Sequence, residues 1–125
     1  MDDYLKKHAI TRGRSVVPEA MPEKGFYFRS DHFNFAKVGV PALYLDNGIE
    51  HIENGTDWML EKMQEYNTVQ YHKPADEYNE SMDLRGLAND LDLYFDIGRD
   101  LANNNDWPEW NEGVSFKAIR DQQRQ

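Results

Sequence analysis

Four histidines, 23 acidic side chains and no cysteine bound the chemistry open to this chain. A metal would have to rest on imidazole nitrogen and carboxylate oxygen, because no thiolate is available. His72 has the setting that such a role needs. It lies between Tyr71 and Lys73-Pro74, on a loop that proline stiffens, with Asp76 four residues on. A zinc-binding imidazole needs its second nitrogen oriented, commonly by a carboxylate, and Asp76 or Glu77 could do that. Tyr71 could donate a hydrogen bond to an oxyanion formed beside the metal.

The other histidines read more plainly. His8 falls on an amphipathic N-terminal helix, where a surface or packing role is the ordinary one. His51 sits in Ile49-Glu50-His51-Ile52-Glu53, a polar-rich loop without His-Glu-x-x-His spacing, and reads as solvated. Ser30-Asp31-His32 holds the residue types of a serine hydrolase. Adjacent residues at one helix start point in different directions, however, whereas a nucleophile, its base and its orienter must touch. Ser30 reads as a helix cap instead.

These residues must be carried by local structure. Tyr4, Leu5, His8 and Ala9 recur at helical spacing within 2–12, and Gly13 is a stop. Ser15-Val16-Val17 is a short extended piece, and Pro18 to Lys24 a loop. Phe26-Tyr27-Phe28 reads as an aromatic strand or rigid extended segment. Ser30-Asp31 opens a short helix that runs to Gly39. Val40-Pro41-Ala42-Leu43-Tyr44-Leu45 is an apolar strand bounded by Asp46-Asn47-Gly48, of the kind buried in a sheet covered on both faces. Thr56 caps a helix over 57–67, which Tyr71 to Pro74 ends. The strongest periodicity spans 82–103, where Leu84, Leu87, Leu91, Tyr94, Phe95 and Leu101 recur at helical intervals. Trp107-Pro108-Glu109-Trp110 is an anchored turn before a polar tail. Helix and strand pieces alternate, so an α/β layer architecture is expected. One or two strands make a poor sheet, which implies that part of the fold lies elsewhere.

With 125 residues, the chain has the size of one domain. Mean hydropathy is −0.88, but aromatic residues make up 13%, which argues for a folded unit. The net charge of −9 is uneven. Residues 1–37 hold seven Lys/Arg against five Asp/Glu, and the remainder seven against eighteen. No basic face for nucleic acid follows from that distribution. No stretch approaches the ~20 apolar residues of a membrane helix, and the acidic N-terminus lacks a signal-peptide layout. Two tripeptides, Asn54-Gly55-Thr56 and Asn79-Glu80-Ser81, match a glycosylation pattern that often arises by chance.

Two segments together resemble a family. The run Arg29-Ser30-Asp31-His32-Phe33-Asn34-Phe35-Ala36-Lys37-Val38-Gly39-Val40-Pro41-Ala42-Leu43-Tyr44-Leu45 resembles a block of bacterial zinc aminopeptidases with two co-catalytic metals. Tyr71-His72-Lys73-Pro74-Ala75-Asp76-Glu77-Tyr78 resembles their later Tyr-His-x-Pro-x-Asp motif. The long final helix and the Trp107 to Trp110 ending look like the larger exported, leucine-aminopeptidase-like members, so the similarity runs over about residues 1–120. The resemblance implies a three-layer α/β/α sandwich, of which residues 1–125 would be the C-terminal portion, with the N-terminal half absent. It implies removal of N-terminal residues from peptides, with His72 as the last zinc ligand and Tyr71 as oxyanion donor. Asp31 and His32 would lie on the substrate side, and Asp76 behind the metal ligand. Full-length relatives of this kind are expected in the periplasm or outside the cell.

The departure is what the chain lacks. Such enzymes bring a first His, a bridging Asp, a Glu-Glu pair and a further Asp from upstream sequence, and no Glu-Glu pair occurs here. One His cannot hold two zinc ions that each need about three protein ligands. The chain alone is therefore expected to be inactive, and to associate with itself or with the missing half. Two other readings remain: a non-catalytic self-associating or binding module derived from the peptidase fold, and a glutaminyl-cyclase-like acyl transferase.

Overall fold

The structure is a computed structural model, which describes residues 1–123. Among them the chain forms five α-helices: α1 (Asp2–Thr11), α2 (His32–Ala36), α3 (Gly55–Val69), α4 (Arg85–Ala102) and α5 (Lys117–Gln123). Two 3-10 turns, Pro22–Lys24 and Phe26–Arg29, precede α2. No strand forms among the described residues; the one β-type pairing is an isolated bridge between His51 and Gly55. The expected α/β sandwich is thus corrected to a helical arrangement. A strand needs a partner to satisfy its backbone, and no described residue pairs as a strand with Val40 to Leu45. That segment forms no regular structure and uses side chains instead. Leu43 and Leu45 pack against the α1/α4 core, and the Leu45 N–H donates to the Tyr94 hydroxyl at 3.0 Å.

The chain divides into two compact units, one formed by residues 1–45 and 86–125, the other by 46–85. In the first, α1 lies along α4 and buries Leu5 against Leu93 and Ile97, with Met1, Tyr4, Leu43 and Leu45 around them. Ion pairs close the edge of this seam: Lys7 to Asp100 at 2.7 Å, Arg14 to Asp90 at 2.7 Å, and Arg12 to Asp96. The helix predicted over 82–103 forms over Arg85–Ala102, but its buried face carries Leu93 and Ile97, whereas the predicted stripe of Leu84, Leu87, Leu91, Tyr94 and Phe95 is exposed. Leu87, Leu91 and Phe95, on the opposite face, are more than half exposed.

Phe26-Tyr27-Phe28 is a 3-10 turn rather than a strand, because the left-handed Gly25 (φ +62°) turns the backbone into it. From there Phe28 meets Phe33 of α2 edge-on at 5.3 Å. Ser30 provides no side-chain cap to α2. Nor does Thr56 cap α3, which opens at Gly55, one residue earlier than Thr56 itself. The turn after α2 is held from the far end of the chain. The Trp110 indole donates to the Gly39 carbonyl at 2.9 Å, and the Gln123 amide donates to that of Val38 at 2.8 Å.

The second unit consists of α3 and the loops on either side, and α3 has no fully buried residue. Its N-terminal end is organised by His51. The imidazole Nδ1 accepts hydrogen bonds from the backbone N–H groups of Glu53 (3.2 Å) and Asn54 (3.1 Å), and the ring lies 4.6 Å from that of Trp58. His51 is therefore a local scaffold, which corrects its reading as a solvated loop residue. No helix among the described residues is long and apolar enough to cross a membrane.

Candidate functional site

The loop that carries Tyr71 and His72 begins where α3 ends. The backbone N–H groups of Gln70 and Tyr71 both donate to the Tyr66 carbonyl at 2.9 Å, closing the helix. His72 then adopts φ +56°, the left-handed region that only a few per cent of non-glycine residues occupy. It is the one non-glycine residue with positive φ among those described. This turn folds the imidazole back onto the Tyr71 ring, with centroids 4.0 Å apart and planes 23° from parallel. The Lys73 N–H donates to Gln70 and the Asp76 N–H to Lys73, so two successive turns carry the chain past Pro74.

Asp76 faces the end of α3. Its carboxylate accepts the Tyr66 hydroxyl hydrogen bond at 3.0 Å. That bond pushes the Tyr66 phenol above its ordinary pKa, with smaller contributions from burial and from the Asp76 charge. Tyr66 in turn lies 6.1 Å from the Tyr71 ring. Tyr66, Tyr71, His72 and Asp76 thus form one local array in the second unit, with Tyr71 half-buried and His72 exposed. Tyr66 was not singled out in the sequence. Its link to Asp76 spans ten residues across a helix end, a separation no periodic pattern marks.

Asp31 and His32 belong to the first unit. Asp31 is exposed at the start of α2 and makes no side-chain cap. His32 points the other way, into an aromatic group. Its ring lies 4.5 Å from Tyr27 and 5.0 Å from Tyr44. His32 Nε2 and the Tyr27 hydroxyl are both buried atoms with no hydrogen-bond partner. Burial raises the Tyr27 phenol pKa, and the nearby Asp2 carboxylate adds to the effect. His8 packs at the α1/α4 seam, with Nε2 2.9 Å from the Asp100 carboxylate.

A zinc ion needs about three protein donors. Among the described residues, no three His, Asp or Glu side chains converge in a way that could hold a metal. His72 is a single exposed donor, and Asp76 is engaged with Tyr66. The residues present do not make a complete zinc site.

The arrangement of these motifs has a match. The model of peptidase family M28 matches residues 1–95, three-quarters of the chain. The chain belongs to peptidase family M28. No curated protein matches it, and no solved structure does. The M28 match takes in Asp31, His32, Tyr71, His72 and Asp76 and stops within α4, so the Trp107 to Trp110 turn lies beyond it. M28 membership makes the chain a relative of metallopeptidases, a family typically dependent on zinc. The helical arrangement described above is the form this M28 chain takes, with His72 in the matched loop.

Proposed function

We propose that this chain is the C-terminal part of an M28 zinc aminopeptidase, of the exported leucine-aminopeptidase-like kind, and that it supplies one side of the catalytic centre. His72 contributes a single imidazole donor to zinc. Tyr71, stacked on it, contributes a phenol that hydrogen-bonds the substrate carbonyl oxygen. Asp76 and Tyr66 hold the loop in register. The supporting observation is the left-handed backbone at His72, which is set against a stacked tyrosine within the family-matched region. Conformations of this kind cost about 1–3 kcal/mol and concentrate at functional sites. The remaining donors and the general base would come from polypeptide outside these 125 residues, and the chain alone would not cleave peptides.

Calorimetric zinc titration of the chain and of its His72→Ala variant tests the assignment. Weak binding that vanishes in His72→Ala, and persists in His8→Ala, is expected. Tight binding that survives loss of His72 would remove it as the ligand. An N-terminal leucine chromogenic substrate should remain uncleaved, and chelator-sensitive turnover by the chain alone would overturn the claim of inactivity.

The exposed residues of α4 favour a second reading, a self-associating module. Leu87, Leu91 and Phe95 follow one another at four-residue spacing on a single face and are 56%, 59% and 65% exposed. Such a face favours burial against another surface. Light scattering across a concentration series should show association that Leu91→Asp abolishes. A monomer at every concentration would dismiss this reading.

A further inference from the structure

The chain contains two Asn-Gly pairs, Asn47-Gly48 and Asn54-Gly55. This dipeptide carries its own chemistry: glycine has no Cβ to shield its backbone nitrogen, which can therefore reach the preceding side-chain amide. Both asparagines are exposed. Among the described residues neither side chain is tied down: Asn54 makes no cap bond to α3, and Asn47 forms a hydrogen bond only through its backbone N–H, which donates to Asp46. The two pairs differ at the attacking nitrogen. The Gly55 N–H donates to the His51 carbonyl at 2.8 Å and is the first residue of α3. The Gly48 N–H makes no hydrogen bond among the described residues, its segment has no regular structure, and open space surrounds its Cα.

We propose that Asn47 is a site of spontaneous covalent modification, the one Asn-Gly pair that the folded chain leaves reactive, while α3 protects Asn54. The Gly48 backbone nitrogen gives up its proton to solvent base and attacks Cγ of Asn47. The new C–N bond closes a cyclic imide, the Cγ–Nδ2 bond breaks, and Nδ2 leaves with a proton as ammonia. Water then opens the ring. Attack at Cγ yields aspartate, and attack at the main-chain carbonyl yields isoaspartate, whose backbone runs through the side-chain carbon. The net change is one water gained and one ammonia lost, and no oxidant or cofactor is required.

The position gives the reaction a consequence. Asp46 is the first residue of the second unit, so isoaspartate at 47 lengthens the main chain two residues after Leu45, where it leaves the first unit. It also adds a carboxylate beside Asp46 and close to Glu50, in the acidic part of the chain. For Gly55 to react, the hydrogen bond to His51 must break first. One backbone hydrogen bond is worth enough to slow the step about tenfold.

The test is peptide mapping by mass spectrometry after the intact chain has aged in mildly alkaline buffer, beside the same chain in urea. Hydroxylamine, which cleaves the imide, gives a second readout. In the folded chain Asn47 is expected to convert about tenfold faster than Asn54, and in urea the two rates should converge. Gly48→Ala should slow conversion at 47 without altering 54. Equal rates at the two sites in the folded chain, or an Asn47 that stays intact while Asn54 converts, would overturn the proposal.

Discussion

The indole N–H of Trp110 donates to the carbonyl oxygen of Gly39, 71 positions away in the chain. The bond fastens the turn after α2 to the C-terminal segment. Around it, the Gly39 backbone sits so close to α5 that a Cβ at this position would lie 2.9 Å from the Arg120 backbone nitrogen. Gly39 also has φ +85°.

Two penalties therefore meet at Gly39. Gly39→Ala is expected to destabilise the first unit by about 2 kcal/mol or more, from backbone strain plus the clash with α5. Gly13 has φ +67° but nothing near its Cα, so Gly13→Ala should cost only about 1 kcal/mol. Urea denaturation of the two variants separates them, and equal losses would mean that the contact with α5 contributes nothing.

Acid should weaken the α1/α4 seam. Hydrogen bonds from Lys7 and then His8 lower the Asp100 carboxyl from its ordinary 3.8 to about 2. A carboxyl whose pKa is depressed by folding contributes stability that is complete above its unfolded value. That contribution is lost as pH falls through the folded value. Asp83, hydrogen-bonded by Arg85, is lowered to about 2 as well and acts in the same window. Melting temperatures measured over roughly pH 5 to 1.5 should fall below about pH 4, and Asp100→Asn should flatten the curve. An unchanged slope in that variant would show that the ion pair is not formed in solution.

Neighbouring leucines on α4 should behave oppositely. Leu93 is 1% exposed and Leu91 59%. Leu93→Ala is expected to cost about 2–5 kcal/mol through the cavity left against Leu5 and Ile97. Leu91→Ala should stay within about 0.5 kcal/mol for a monomer. A large loss at Leu91 in dilute solution would point to a covered face.

The phenol of Tyr66 should titrate late. Its bond to Asp76 stabilises the protonated form, so ultraviolet titration should show a late phase to which Tyr66 and the buried Tyr27 both contribute, and Asp76→Asn should return the Tyr66 part toward the ordinary value of 10.0. The same titration of Tyr66→Phe should lose one tyrosine from the late phase and keep Tyr27. If Asp76→Asn leaves that phase undiminished, Asp76 is not the partner of Tyr66 in solution.

The legible parts of the sequence were those governed by local chemistry. The presence of a helix at α4, though not which face it buries, the stop at Gly13 and the end of α3 ahead of Pro74 all depend on neighbours in sequence. The family motifs around Asp31 and His72 lie within the matched region because residue types and order survive whatever the tertiary arrangement. The sheet was the main misreading. Val40 to Leu45 has the composition of a buried strand, but composition does not provide a pairing partner, and helices took the contacts a sheet would have made. Phe26 to Phe28 misled for a related reason, since aromatic residues suit a strand and Gly25 decides the turn. The Tyr66–Asp76 bond and the role of His51 depend on how chain ends fold back, which spacing does not encode.

The described apolar residues that are buried are Leu5, Ala9, Ala36, Leu93 and Ile97, two of them alanines. Heat capacity rises on unfolding chiefly because hydrocarbon surface becomes hydrated. A chain that withdraws so few large side chains from solvent has little such surface left to reveal. Its stability should therefore vary only gently with temperature, and a calorimeter should record a low, wide endotherm rather than a sharp peak.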